Sequence, residues 1–148
     1  MTQASSNWER YYSTLKRMPK RLKKTAQFIV GILPDLKNHK VEKVLDVGCG
    51  SGRHCVLLAS SGFDVVGMDI SKSALRMANR WVQKERLENV ALVRATMTNV
   101  PVNDCCLDAV VGVSVMWLLE IKEEELKAGE FVRSLFEGLE TISSSTTG

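Results

Sequence analysis

The run from position 44 to position 54, VLDVGCGSGRH, constrains the fold of this chain more than any other feature. Val44, Leu45 and Val47 form an apolar stretch typical of a buried strand, and glycines follow at the alternate positions 48, 50 and 52. Glycine adopts positive φ at no steric cost and lets a ligand approach the backbone closely. A helix that begins after such a turn directs its free N–H groups and positive dipole end at that ligand. The run therefore predicts a strand, a ligand-binding turn and a helix.

The spacing of the glycines separates two kinds of nucleotide site. The dinucleotide fingerprint is G-x-G-x-x-G, whereas this chain has G-x-G-x-G from Gly48 to Gly52, with Asp46 two residues earlier. That arrangement resembles motif I of the class I S-adenosylmethionine-dependent methyltransferases. In that family the loop cradles the methionine portion of the cofactor, and the acid orients the site near the cofactor's amino group. The resemblance implies that Asp46, Gly48, Cys49, Gly50 and Gly52 belong to a cofactor site.

A second acid stands near the end of the next predicted strand, which covers residues 63–71. Asp69 lies 21 residues beyond Gly48, close to the offset of about 20 residues at which an acid binds ribose hydroxyls in nucleotide folds. The alternative is a surface acid that caps the following helix. Ser71 is the better N-cap residue, which leaves Asp69 freer for a ligand. We therefore assign Asp69, with its neighbour Ile70, to the cofactor site.

Strand patterns alternate with helical patterns along the chain. Four strands are predicted, at 44–47, 63–71, 89–95 and 107–115. This alternation predicts an α/β fold, a Rossmann-like doubly wound parallel sheet with helices on both faces and the ligand beyond the carboxyl ends of the strands. The stretch around Pro101 and LDAV also resembles the segment that joins the third and fourth strands in the methyltransferases. That family usually has seven strands, so the resemblance implies an incomplete sheet and a chain truncated after the fourth strand.

The adenine end of the site departs from the family pattern. The methyltransferases commonly have an acid just after the third strand, which binds the adenine amino group. That place falls on Thr96 here, with Met97 beside it. A hydroxyl is a weaker partner than a carboxylate, so we expect reduced affinity or altered geometry. Ser114, within the predicted fourth strand, completes the set of candidate cofactor-binding residues.

The chain is predicted to form a single methyltransferase-like domain over residues 1–148. Within it we expect an N-terminal helical segment (1–40), a cofactor-binding core (41–116), a C-terminal helix (117–141) and a flexible tail (142–148). In the family's strand order the fourth strand is normally flanked by a fifth, so here it becomes an edge. An apolar edge strand recruits other strands. We therefore expect a dimer or a complementing chain at that edge.

The N-terminal segment is basic, although the net charge of the whole chain is only +3 and by itself indicates neither a nucleic-acid nor a membrane partner. Residues 16–24 read KRMPKRLKK. One interpretation is a contact with RNA phosphates. The other, which we favour, is the solvated face of a helix that Pro34 helps to end. The apolar stripe of that helix would consist of Leu22, Ala26, Ile29, Val30 and Leu33.

Other side chains have both a functional and a structural interpretation. The resemblance implies that an N-terminal residue closes over the cofactor, and Tyr11 or Tyr12 would serve. For each of these residues and for Trp8 we favour ordinary packing. Trp117 lines the methyl-transfer site or belongs to the core. Arg53 and His54 begin the helix after the glycine loop, where they are expected to approach the cofactor's carboxylate.

The cysteines and the apolar runs indicate the environment of the chain. Its four cysteines form no C-x-x-C pair, so we predict no metal site. Unpaired thiols fit a reducing cytoplasm. The sequence has no signal peptide, and the apolar run FIVGIL is too short to span a bilayer. We expect a cytoplasmic protein.

These features together favour an S-adenosylmethionine-dependent methyltransferase with an unidentified acceptor. No residue is assigned as a catalytic base. One alternative is a partial domain or subunit that binds the cofactor but needs a partner for catalysis. A nicotinamide-dependent oxidoreductase would share the loop and Asp69, but the glycine spacing and Asp46 argue against it.

Overall fold

The computed structural model of the protein describes residues 3–96 and 107–112, with the side chains of residues 3–5 left out. Four α-helices and four strands lie in these ranges, together with a single turn of 3-10 helix at Lys20–Leu22. The helices are α1 (Gln3–Ser13), α2 (Gln27–Asn38), α3 (Arg53–Ser60) and α4 (Lys72–Lys84). The strands are β1 (Lys43–Val47), β2 (Asp64–Asp69), β3 (Val90–Arg94) and β4 (Ala109–Val111).

The strands form one parallel sheet in the order β3-β2-β1-β4. Val47 at the end of β1 pairs with Met68 of β2, so the residues that follow these two strands lie next to each other at the same edge of the sheet. The chain runs outward from β1 through β2 to β3 and then crosses to β4 on the other side of β1. Ligands of such sheets bind at this switch point, beyond the carboxyl ends of the strands. The predicted Rossmann-like parallel sheet is confirmed, with four strands in the part of the chain that the structure describes.

The two faces of the sheet carry separate apolar clusters, because successive side chains of a strand point to opposite faces. On one face Val44 and Val65 pack with Ile29 of α2 and Leu58 of α3. On the other face lie Leu45, Val47 and Met68. Of these two clusters, only the Val44 cluster contains residues from the helices of the described ranges, so helices on the second face stay a prediction.

Helix α1 lies against α4 near the carboxyl edge of the sheet. Tyr12 packs with Ala74 and Met77 of α4 in a third apolar cluster. Because α4 begins directly after β2, this packing brings the N-terminal helix to the end of the sheet where a ligand is expected.

The N-terminal segment differs from the prediction of one continuous helix. Helix α2 begins only at Gln27, and Leu22 packs with the Tyr12 cluster instead of belonging to a common stripe. Val30 is 47% exposed, so its assignment to the buried stripe was wrong. Pro34 lies inside α2 and does not end it. A proline removes one bond to the carbonyl four residues earlier, here that of Val30, on an exposed side of the helix where water can replace the lost donor.

Several predicted features fall outside the described residues. They include Met97, Ser114, Trp117, the adjacent cysteines at 105 and 106, the C-terminal helix and the tail. The fourth strand was predicted over 107–115, and the described part of it is β4. Of the helices in the described ranges, none combines the length and apolar character needed to cross a bilayer.

Candidate functional site

The glycine loop turns the chain from β1 into α3 through three left-handed residues. Gly48, Gly50 and Gly52 have φ values of 67°, 54° and 89°, as the glycine pattern predicts. The turn is closed by a 2.9 Å hydrogen bond from the N–H of Gly52 to the carbonyl of Cys49. A second bond, also 2.9 Å, joins the N–H of Cys49 to the carbonyl of Met68 in β2. The loop is therefore held above the ends of β1 and β2.

Two of the loop glycines leave no room for a side chain. A Cβ on Gly50 would lie 2.6 Å from the hydroxyl oxygen of Tyr12. A Cβ on Gly52 would lie 2.8 Å from the Cβ of Ala78 in α4. Gly52 thus permits the close packing of α3 against α4, a role that the sequence did not reveal, and its contact with a cofactor stays a prediction.

Asp69 connects the end of β2 to the glycine loop. Its Oδ2 accepts a 2.8 Å bond from the N–H of Gly50, and its Oδ1 accepts a 2.9 Å bond from the N–H of Ser71. Burial raises the pKa of Asp69, and these backbone hydrogen bonds oppose the rise. Asp69 was expected to be freer for a ligand because Ser71 caps the helix, and the structure shows that both of its oxygens also accept a backbone bond. Each carboxylate oxygen nevertheless has a further lone pair with which to accept a ligand hydroxyl.

Ser71 caps helix α4 as predicted. Its Oγ accepts a 3.1 Å bond from the N–H of Ala74. The same hydroxyl donates a 2.8 Å bond to Oε2 of Glu9 in α1. Glu9 also accepts bonds from the N–H and the hydroxyl of Ser73, and the latter hydroxyl bond is the main cause that lowers the pKa of Glu9. Glu9 was missed at the sequence level, because no local pattern connects two residues that are 64 positions apart.

Asp46 lies beneath the loop and not at its surface. The side chain is 1% exposed, and the thiol of Cys55 donates a 3.3 Å bond to its Oδ2. Burial raises the pKa of Asp46 to about 7, despite the opposing effect of that bond. A carboxylate so enclosed has no surface to offer a ligand directly. The orienting role that the resemblance implies for Asp46 would therefore operate through support of the loop from below.

Cys49 and Cys55 share this buried space as free thiols. A Cβ on Gly67 of β2 would lie 2.7 Å from Sγ of Cys55 and 3.2 Å from Sγ of Cys49. Gly67 is thus a residue that the loop requires and that sequence reasoning missed. The hydrogen bond with Cys55 lowers the pKa of Cys49, but burial and the nearby carboxylates raise it by more. The net effect is a raised pKa, so the group is a thiol at neutral pH. The side chain of Cys49 is buried, and the contact of this residue with a cofactor stays a prediction.

The start of α3 is joined to the N-terminal segment. Ser51 Oγ donates a 3.0 Å bond to the carbonyl of Leu22, and Arg53 Nη1 donates a 2.8 Å bond to the carbonyl of Lys24. Nε2 of His54 accepts a 3.0 Å bond from the N–H of Ala26. Arg53 and His54 were expected to face the cofactor's carboxylate, and the structure engages both with the N-terminal backbone instead.

The electrostatics of His54 support this structural role. Burial, and secondarily the charge of Arg53, lower the pKa of His54 to about 4. The ring is therefore neutral at pH 7 and accepts a bond from a backbone amide. A neutral ring does not attract a carboxylate by charge, and the expected contact of His54 with the cofactor stays a prediction.

The aromatic residues of α1 stand over the loop. Tyr12 is buried, with its hydroxyl beside Gly50, and burial raises its pKa so that it stays neutral. Tyr11 stacks edge-on against Trp8 at 5.8 Å and accepts a 2.7 Å bond from Nη2 of Arg21. Of the three aromatic candidates, Tyr12 is the one whose hydroxyl reaches the glycine loop.

The remaining candidates lie along the carboxyl edge of the sheet. Ile70 is half-buried and its carbonyl accepts a 3.0 Å bond from Nε of Arg94. Thr96 is exposed two residues beyond the end of β3. Among the residues that the structure describes, no group of three His, Cys, Asp or Glu side chains is arranged to hold a metal ion.

Comparison with known proteins gives a consistent result. A family model described as a methyltransferase domain matches residues 44–138. The chain is 39% identical over 77 residues to an 18S rRNA (guanine-N(7))-methyltransferase, bud23, of Schizosaccharomyces pombe. That match covers 51% of this chain and 28% of the yeast protein, so the chain spans less than a third of this relative's length.

Two solved structures resemble the fold. The methyltransferase domain of bacterial CtHen1 is 25% identical, with a TM-score of 0.62, over 76% of this chain and 60% of that one. Magnesium protoporphyrin IX methyltransferase from Synechocystis, solved with bound S-adenosylhomocysteine (SAH), superposes with a TM-score of 0.54 at 18% identity. This match covers 77% of this chain and 55% of that one, and it supports the fold alone.

Proposed function

The chain belongs to the methyltransferase domain family, and from that premise we propose that it binds S-adenosylmethionine at the glycine loop and transfers the methyl group to an acceptor. The observation that carries the proposal is the junction between Asp69 and Gly50, which joins an acid at the end of β2 to the loop after β1. A nucleoside bound at the carboxyl edge of the sheet would meet both elements at once.

The donor and acceptor groups of the described residues suit this cofactor. Ribose hydroxyls are donors, and Asp69 has lone pairs left to accept them. The backbone of Gly48 and Gly50 carries no side chain that would keep the methionine portion away. Tyr12 stands over the loop, where its ring would exclude water from a bound cofactor. The same residues give a nicotinamide cofactor no comparable support, since the loop lacks the G-x-G-x-x-G spacing.

The chemistry required of the protein is mainly positioning. When bound, the cofactor supplies an electrophilic methyl group: the acceptor's lone pair forms the new bond while the carbon–sulfur bond breaks and sulfur keeps its electron pair. Because the leaving group is neutral, the protein's task is to hold donor and acceptor in line. Asp69 and the glycine loop would fix the donor. A proton released by the acceptor passes to solvent, and we assign no base.

Binding and turnover test the proposal separately. We expect calorimetric titration to show micromolar binding of S-adenosylmethionine and no binding of NADH. Binding of NADH in place of S-adenosylmethionine would contradict the proposal. Formation of S-adenosylhomocysteine in the presence of candidate acceptors would then separate an active enzyme from the alternative, a chain that binds the cofactor but needs a partner for catalysis.

We also propose that β4 pairs with a second copy of this chain or with a complementing chain. In the described ranges, β4 is hydrogen-bonded on one side only, to β1. Its residues Ala109, Val110 and Val111 are apolar and uncharged. An apolar edge of this kind supports strand addition.

A further inference from the structure

A concentrated positive charge lies beside the candidate cofactor site. The basic segment, defined as residues 16–24, contains six lysines and arginines and no acid. All six side chains are exposed: Lys16, Arg17, Lys20, Arg21, Lys23 and Lys24. None of them has a carboxylate partner within the ranges 3–96 and 107–112. Their charges are therefore open to an external anion.

The basic segment is attached to the glycine loop by its backbone. Ser51, between two loop glycines, binds the carbonyl of Leu22, and Arg53 binds the carbonyl of Lys24. Because these bonds use backbone carbonyls, they hold the segment in place without occupying its cationic side chains. An anion bound to the segment would be held next to the loop.

The charge distribution favours a polyanion that binds at one place. The six charges of the segment exceed the net charge of the whole chain, +3, so the rest of the chain is net acidic. Successive phosphates of a nucleic acid would be attracted to the segment by its six closely spaced charges. Phe28, at the start of α2, is 59% exposed and offers a ring on which an unpaired base can stack.

A membrane surface fits these residues less well. Helices that lie on membranes present one continuous apolar face. Among the described residues, the exposed large apolar side chains are those of Phe28 and Val30. They are two positions apart on α2 and therefore point to different sides of the helix. The cations lie outside α2, in a stretch whose regular structure is limited to the 3-10 turn.

From this juxtaposition we propose that the basic segment is a docking surface for single-stranded RNA, which presents a nucleoside acceptor to the glycine loop. The inference rests on the proposed function and names its substrate class. The segment binds the phosphates, Phe28 stacks on a base, and the bonds from Ser51 and Arg53 keep the docked strand beside the methyl donor.

The test measures fluorescence anisotropy of a short labelled single-stranded RNA of mixed sequence. The segment variant is Lys20→Glu with Lys23→Glu. The matched control is Arg80→Glu with Lys84→Glu, an equal charge change on exposed positions of α4. We expect the segment variant to bind roughly tenfold more weakly, and its slope of log K against log salt to fall by about 1.4, since each lost phosphate contact contributes about 0.7. The control should bind within about twofold of the wild type, because its charges lie outside the phosphate contacts.

Three results would overturn the docking surface. They are equal weakening by both variants, no RNA binding by the wild-type chain, and tighter binding to phosphatidylserine vesicles than to RNA. Titration of the same proteins with S-adenosylmethionine keeps the two proposals apart. Failure of the wild type to bind S-adenosylmethionine contradicts the proposed function, whereas failure to bind RNA contradicts the docking surface.

Discussion

The Oδ2 atom of Asp69 accepts a 2.8 Å hydrogen bond from the backbone N–H of Gly50, which joins the end of one strand to the loop that follows its neighbour. The other oxygen of the same carboxylate accepts the N–H of Ser71, which caps the next helix. One side chain therefore fixes the loop and the start of α4 together. This arrangement organises the site before any ligand binds and reduces the conformational entropy that the loop loses on binding.

Replacement of Gly50 by alanine should damage the site for two reasons. A left-handed conformation costs a residue other than glycine about 1–2 kcal/mol, and the new Cβ would lie 2.6 Å from the hydroxyl of Tyr12. We expect Gly50→Ala to lower the free energy of unfolding in urea and to weaken S-adenosylmethionine binding. Addition of Tyr12→Phe removes the clashing hydroxyl and should restore part of the loss. The steric explanation is wrong if the second change restores nothing.

Asp46 should make the free energy of unfolding depend on pH. Burial raises the pKa of its carboxyl to about 7 in the folded chain, whereas an unfolded aspartate titrates near 4. Between these values the folded chain holds a proton that the unfolded chain has lost, so this contribution to stability falls as pH rises and levels off above the folded pKa. The fall amounts to about 1.4 kcal/mol for each unit of pKa difference.

His54 acts in the opposite direction over part of this range, because its folded pKa of about 4 lies below the unfolded value, so its contribution increases with pH. We therefore compare the wild type with Asp46→Asn by urea unfolding at about pH 5 and about pH 8, an interval that contains most of the fall in the Asp46 contribution. The variant should gain stability relative to the wild type at the higher pH. The exposed Asp64→Asn serves as the control. If the free energy of unfolding differs between the wild type and Asp46→Asn by the same amount at both pH values, the raised pKa of Asp46 is contradicted.

Glu9 should hold α1 against α4. Its carboxylate accepts bonds from Ser71 and Ser73, and hydrogen bonds to charged groups contribute about 1.5–3 kcal/mol when intact. We expect Glu9→Gln to increase amide hydrogen exchange in α1 roughly tenfold, while exchange in β1 is unchanged. The exposed Glu88→Gln is the matched control. If exchange in α1 stays at the wild-type rate, Glu9 does not hold this helix.

The edge strand β4 should determine whether the protein is a monomer or a dimer in solution. Light scattering is expected to give twice the chain mass of 16.5 kDa if a second copy pairs there. Gly112, directly after β4, has open space around it, so Gly112→Lys adds an edge lysine without a clash. An edge lysine blocks strand addition, and the variant should be monomeric. Gly31→Lys, also in open space, is the control. A monomeric wild type, or a dimer in both variants, would argue against pairing at this edge.

Local pattern was sufficient to predict the central elements. The apolar strand before the glycines, the positive φ of the loop and the cap at Ser71 are set by residues close to one another in the chain, and all three were found as expected. The parallel order of the strands followed from their alternation with helices.

The contacts that complete the site could not be predicted in this way. Ser51 and Leu22 are 29 positions apart, and Glu9 and Ser73 are 64 apart. Hydrogen bonds over such separations leave no periodicity in the sequence. The same applies to the apolar residues between Leu22 and Leu33. Their spacing matched one helix, although Leu22 packs on α1 and α4 and Ile29 packs on the sheet. Packing partners, and not spacing, determined where that helix begins.

Titration calorimetry on a matched pair of variants tests the central claim most directly. Asp69→Ala removes the carboxylate at the carboxyl end of β2, and Asp64→Ala removes an exposed one at the start of the same strand. Asp69→Asn keeps one oxygen that can accept the N–H of Gly50. It therefore separates the loss of a ligand contact from a loss of binding caused by loop disorder alone. The account predicts that Asp64→Ala binds S-adenosylmethionine like the wild type, Asp69→Asn binds more weakly and Asp69→Ala does not bind. Wild-type affinity in Asp69→Ala would contradict it.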